Sequence, residues 1–102
     1  MDTKEQIAKD IKDNKVLIYM KGSPEAPLCG FSARALEILK SYNVPIASRN
    51  VLADESLRQG IKEFSDWPTI PQIFVNGEFI GGCDIITEMH QNGELKKLLD
   101  KN

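Results

Sequence analysis

Five consecutive apolar residues, Val16-Leu17-Ile18-Tyr19-Met20, constrain this chain more than any other stretch. A half-covered strand alternates apolar with polar side chains, whereas an unbroken β-prone run needs cover on both faces, so the run predicts a central strand between two layers. The residues after it narrow the choice. From Cys29 the apolar positions Phe31, Ala35, Ile38, Leu39 and Tyr42 recur at helical spacing until Asn43-Val44-Pro45 stops the helix, and Ile46 to Val51 reads as a weaker strand. Strand, helix, strand makes a βαβ unit, with parallel strands and a right-handed crossover.

The remaining segments fit around that unit. Thr3-Lys4-Glu5-Gln6 reads as a capping box opening a short amphipathic helix to about Asp13, with Ile7 and Ile11 on one face. Asp54 is placed to cap a helix carrying Leu57, Ile61 and Phe64, ending near Ser65. Gln72-Ile73-Phe74-Val75 and Glu78-Phe79-Ile80 flank Asn76-Gly77, the strongest hairpin signal in the chain. Gly81-Gly82-Cys83 reads as a tight turn, with Asp84 capping a helix from Ile85 to Gln91, and a last helix runs from Glu94 to about Lys101. The expected fold is α/β, a four-stranded mixed sheet flanked by helices in the order α-βα-βα-ββ-αα.

A chain of 102 residues is expected to form one domain over residues 1–102, with a single core. Thirteen basic and 15 acidic residues give a formal net charge of −2, and no basic stripe suggests a nucleic-acid surface. No apolar run reaches membrane-spanning length, and the charged N-terminal stretch lacks a signal-peptide core, so the expectation is a soluble, cytoplasmic protein without membrane contact. Only two cysteines, Cys29 and Cys83, argue against a disulfide-stapled scaffold and favour a reactive or ligating thiol.

That thiol is Cys29, in Lys21-Gly22-Ser23-Pro24-Glu25-Ala26-Pro27-Leu28-Cys29-Gly30-Phe31-Ser32. It falls between the buried strand and the first turn of the following helix, where unpaired N–H groups and the positive end of the helix dipole favour thiolate over thiol. Lys21 adds to the effect if the loop folds back. Ser32 stands where a Cys-x-x-Cys motif would carry its second sulfur, which removes a dithiol cycle. Bland readings compete at every position. Arg58 alone is a surface charge, Asp84 a helix cap, Phe31 a core residue, Cys83 a small buried hydrophobe and His90 a non-ligand on a polar helix face.

Taken together, Lys21-Gly22-Ser23, Cys29-Gly30-Phe31-Ser32, Trp67-Pro68-Thr69-Ile70-Pro71-Gln72, Asn76-Gly77 and Gly81-Gly82-Cys83-Asp84 resemble the monothiol glutaredoxins of the Cys-Gly-Phe-Ser class, over nearly the whole chain. One departure is visible at Arg49-Asn50, where similar proteins often carry an acidic residue; it touches none of the expected site residues. The resemblance implies a thioredoxin-like fold, glutathione and a [2Fe-2S] cluster as cofactors, and a role in cluster assembly, storage and transfer. It also implies BolA-like proteins and apo iron-sulfur acceptor proteins as partners.

Residue roles carry over with it. Lys21 and Arg58 hold the glycine carboxylate of glutathione; the backbone of Ile70, before a cis Pro71, pairs with the tripeptide as an added strand; Thr69 and Trp67 shape the same wall. Gly82 allows close approach, the N–H groups of Cys83 and Asp84 receive the γ-glutamyl carboxylate, and the Asp84 side chain faces its ammonium. A cluster of this type needs four thiolates and the chain offers one, so two Cys29 sulfurs from a homodimer and two glutathiones complete the set. The alternative is a glutathione-dependent thiol-disulfide oxidoreductase acting through Cys29, and a third reading is an adaptor whose cluster reports iron status.

Overall fold

The computed structural model describes residues 2–101. Helix α1 (Thr3–Asp13) leads into β1 (Val16–Met20), every residue of which is buried. Two short strands follow, β2 (Gly22–Ser23) and β3 (Ala26–Pro27), then α2 (Gly30–Lys40) and β4 (Ala47–Asn50). Helix α3 (Glu55–Ser65), the hairpin β5 (Gln72–Val75) and β6 (Glu78–Gly81), and helices α4 (Cys83–Asn92) and α5 (Glu94–Asp100) complete the chain.

The main sheet has the order β4-β1-β5-β6. β1 pairs in parallel with β4, as the βαβ unit requires, and antiparallel with β5, which pairs with β6 in the hairpin. Burial of β1 on both faces follows from its place. Val16, Ile18 and Met20 point into a core with α2, α4 and α5, while Leu17 and Tyr19 point into a second core with Ile7, Ile11 and Ile61 of α1 and α3. Asn76 and Gly77 both have positive φ, 53° and 83°, the backbone of a type I′ hairpin turn. Among the described residues no helix is long and apolar enough to cross a membrane.

Several boundaries differ from the sequence reading. The cap of α1 is Asp2, whose carboxylate accepts the N–H of Glu5 at 2.8 Å; the box begins one residue earlier than Thr3 because a carboxylate accepts more strongly than a hydroxyl. Gly82, not Asp84, is the cap of α4, so Asp84 lies within the first turn. Phe64 is 41% exposed and Phe31 is 63% exposed; both fit the helical period but fall outside the strip that the sheet covers. The β2–β3 ribbon has no counterpart in the sequence reading. Gly22 makes it: at φ +92°, a Cβ would lie 2.5 Å from the carbonyl of Ala26.

Candidate functional site

The C-terminal end of β1, the start of α2, one face of α3, the turn before β5 and the start of α4 meet around one open cleft of about 430 Å³. Lys21, Cys29, Arg58, Thr69, Ile70, Pro71, Gly82, Cys83 and Asp84 all line it, so every site residue expected from the sequence comes together. Lys62 joins them, and the sequence reading missed it. The signal was available, since Lys62 stands one turn after Arg58 on the helical face that meets the cleft. A larger hollow of about 720 Å³ lies between α1 and α3, lined by Thr3, Gly60 and Phe64 among others, but it holds no thiol. Chemistry therefore belongs to the smaller cleft.

Cys29 is the N-cap residue of α2, with extended backbone, and is part-exposed. Its side chain makes no regular cap hydrogen bond, yet the dipoles of nearby N–H groups act on a large sulfur through space. The backbone N–H of Ser32 is the largest influence holding the thiol below the ordinary value of 9.0; burial opposes it, and the N–H of Phe31, the Lys21 ammonium and the Ser32 hydroxyl add to it. Ser32 is fully buried, and its Oγ accepts the N–H of Lys21 at 3.1 Å. Leu28 N–H donates to the Lys21 carbonyl at 2.9 Å, folding the loop back as the Lys21 contribution requires. Cys83 is only 7% exposed and packs in the core with Ile86 and Leu95. Its sulfur is enclosed, while its N–H stands in the unpaired first turn of α4.

The opposite wall is a backbone surface. Ile70-Pro71 is cis, and Ile70 makes no backbone hydrogen bond among the described residues, which leaves its N–H and C=O free for an added chain. Gln72, fully buried, donates its amide to the carbonyls of Trp67 and Thr69 at 3.0 and 3.2 Å and so fixes the turn. At Gly82 a Cβ would stand 3.1 Å from the Pro71 carbonyl, so a side chain there would crowd the junction of the two walls. Exposed Phe31, Trp67 and Ile85 line the mouth, an apolar rim beside the thiol, and Leu28, next to Cys29 in the chain, is 69% exposed.

The departure at Arg49-Asn50 touches none of the nine site residues, though it reaches the neighbour of one of them. Asn50 Oδ1 accepts the N–H of Gly22, next to Lys21, at 3.0 Å. Arg49 instead grips Asp10 of α1, so the two neighbours serve different sides of the sheet. His90 pairs with the Tyr42 hydroxyl, and no group of three or more His, Cys, Asp or Glu side chains suited to a metal is present among the described residues.

A lone activated thiol at a helix cap, facing a cis-proline turn across a cationic cleft, defines a thiol protein of the thioredoxin-like class. The glutaredoxin family model matches residues 16–80. Monothiol glutaredoxin-S15, mitochondrial, of Arabidopsis thaliana is 58% identical over 96 residues, 94% of this chain and 57% of that protein. Monothiol glutaredoxin-S4, mitochondrial, of Oryza sativa is 57% identical, over 91% of this chain and 50% of that protein. The solution structure of a monomeric truncated mutant of Trypanosoma brucei 1-C-Grx1 superposes with a TM-score of 0.88 at 43% identity, covering 97% of this chain and 90% of that one. The chain belongs to the glutaredoxin family, among its monothiol members.

This chain spans about half the length of the two plant relatives. Their names also correct the cytoplasmic location expected from the sequence, because these similar proteins are mitochondrial. A targeting segment sets the compartment, and the composition of a folded domain does not encode it.

Proposed function

We propose that this protein binds glutathione in the Cys29 cleft and carries a [2Fe-2S] cluster for assembly, storage and transfer, in a mitochondrial setting like that of its plant relatives. The observation that carries this reading is a single accessible, acidified thiol beside a free peptide edge and three cations, Lys21, Arg58 and Lys62. Glutathione matches the cleft group by group. Its glycine carboxylate meets Lys21 and Arg58, its cysteine backbone pairs with Ile70, and its γ-glutamyl carboxylate takes the N–H groups of Cys83 and Asp84. The Asp84 carboxylate faces its ammonium.

The donor set fits the cluster only with outside help. Cys83 is enclosed, so each chain offers one sulfur where four thiolates are needed. Cys29 of two copies and two bound glutathiones supply them, and a bound cluster would serve as cargo that leaves when its glutathione ligands exchange. The exposed side chains of Phe31 and Leu28, both near Cys29 in the chain, suit contact with a second copy, and by the same surface with BolA-like or apo iron-sulfur acceptor proteins.

Anaerobic reconstitution with and without glutathione, read by absorption and size-exclusion, tests the reading. Cluster is expected only with glutathione and only on a dimer, with Cys29→Ser abolishing it and Cys83→Ser costing much less. A full cluster on a monomer without glutathione, or equal loss in the two variants, overturns it.

The lowered Cys29 pKa favours a second activity. The Cys29 thiolate attacks the glutathione sulfur of a glutathionylated protein and expels the protein thiolate; a second glutathione thiolate then attacks the new Cys29 mixed disulfide, releasing glutathione disulfide and restoring Cys29. High turnover by the cluster-free protein on a glutathionylated substrate would place this reaction first.

A further inference from the structure

Two arms carry the cations of the cleft, and beyond the β1–β4 ladder a side-chain oxygen links them. Lys21 sits at the end of β1, while Arg58 and Lys62 stand on α3, which follows β4 through a short connection capped by Asp54. Beyond the last ladder bond, from Val51 N–H to the Met20 carbonyl at 2.9 Å, the arms diverge. Asn50 Oδ1 bridges them there. It accepts Gly22 N–H at 3.0 Å on the Lys21 arm and Leu52 N–H at 2.9 Å on the α3 arm. Both neighbours are donors, so the amide orientation follows from the contacts themselves.

The Lys21 arm has little freedom apart from this bridge. Its N–H goes to Ser32 Oγ and its carbonyl receives Leu28 N–H, ties that lead to α2 and the Cys29 loop and not to α3. Gly22 itself is closed in, with no room for a Cβ. Leu52, by contrast, is exposed and lies in a turn, so its N–H could be satisfied by water without Asn50. Removing the Asn50 oxygen therefore loosens the spacing between Lys21 and the start of α3, whose body Ile61 still holds in the core, more than it disturbs either arm internally.

We propose that Asn50 is a positioning residue that sets the spacing between Lys21 and the Arg58–Lys62 pair, and so makes the cleft prefer a peptide with a C-terminal glycine carboxylate. The inference rests on the glutathione reading. Two cations clamp one carboxylate well only at a fixed separation, because charge-assisted hydrogen bonds fade quickly with geometry.

Calorimetric binding of glutathione and of γ-glutamylcysteine, which lacks the glycine, to the cluster-free protein tests it. The unaltered protein is expected to prefer glutathione by about tenfold or more, the worth of one well-made charge-assisted contact. Asn50→Ala is expected to reduce that preference below about threefold while holding γ-glutamylcysteine affinity within about twofold, a pattern general loosening would not give. Asn50→Asp keeps an acceptor for both N–H groups and is expected to retain a preference above about threefold.

Asn50→Ala with the full preference, or with equal losses for both peptides, overturns the inference and leaves the glutathione reading standing. Should Asn50→Ala not fold, Asn50→Ser decides, because its shorter side chain cannot span both N–H groups: a preference below about threefold supports the inference and the full preference overturns it. Equal binding of the two peptides by the unaltered protein overturns the reading beneath it.

Discussion

Replacing Arg49 by Met strands a carboxylate in the wall between α1 and the sheet. Asp10 is 4% exposed and takes Arg49 Nη2 at 2.7 Å on one oxygen and Nε at 3.0 Å on the other. Gln6 adds a donor at 2.9 Å, and the buried Tyr19 hydroxyl nearby is kept protonated by burial first and by the Asp10 charge second. Leaving a buried charge without its partner costs about 3–5 kcal/mol in general, but the Arg49 side chain is 47% exposed and water screens its half of the pair. A loss of about 2 kcal/mol is expected for Arg49→Met, a fall in Tm on the order of 10 °C for a domain of this size. Asp10→Asn alone is expected to cost about 1 kcal/mol, because an amide still accepts from Arg49. Once Asp10 is Asn, Arg49→Met loses most of its effect, so the double variant is less destabilised than the two singles added. Urea unfolding of the four proteins at neutral pH measures the cycle. Arg49→Met within about 0.5 kcal/mol of the parent, or strict additivity in the double variant, refutes the argument.

Ser32→Ala is expected to raise the Cys29 pKa, and Lys21→Gln to raise it further, since the ammonium outweighs the hydroxyl; the pH dependence of alkylation reads both. Because folding lowers the thiol pKa, Cys29 ionisation stabilises the native state fully above the unfolded pKa, and that contribution is lost as pH falls through the folded one. The stability difference between the parent and Cys29→Ser should therefore grow with pH up to the region of 9.0 and level off above it, and a difference that shrinks over that range contradicts the assignment. Gly22→Ala, forced to φ +92° with a Cβ 2.5 Å from a carbonyl, is expected to cost more than about 2 kcal/mol in thermal or urea unfolding and to loosen the Cys29 loop.

What the sequence disclosed were features coded over a few adjacent residues. The unbroken run in β1, the Asn76-Gly77 turn and the Asp54 cap each carry their own signal, and the parallel β1–β4 pair and the β5–β6 hairpin were legible with them. The resemblance collected nine site residues that now line one cleft, although they come from five separate stretches. Features that depend on distant partners stayed hidden. The β2–β3 ribbon exists because Gly22 adopts a backbone that Ala26 and Leu28 enclose, and nothing in Gly-Ser-Pro-Glu-Ala-Pro announces a pair of two-residue strands. Asn50 reads as an ordinary polar residue at a strand end until Gly22, 28 positions earlier, is seen beside it. Phe31 and Phe64 mislead for a related reason: helical period identifies a face, but how wide a strip the sheet covers is a tertiary fact.

The claim on which the rest depends is that a tripeptide lies along the Ile70 edge beside an ionised Cys29. Amide chemical-shift mapping of the cluster-free protein during titration with reduced glutathione addresses it most directly. The account predicts saturable shifts concentrated at Thr69, Ile70, Cys83 and Asp84, with smaller ones along Arg58 to Lys62. Shifts confined to the hollow between α1 and α3, around Thr3, Gly60 and Phe64, with Ile70 and Cys83 unmoved, would contradict it.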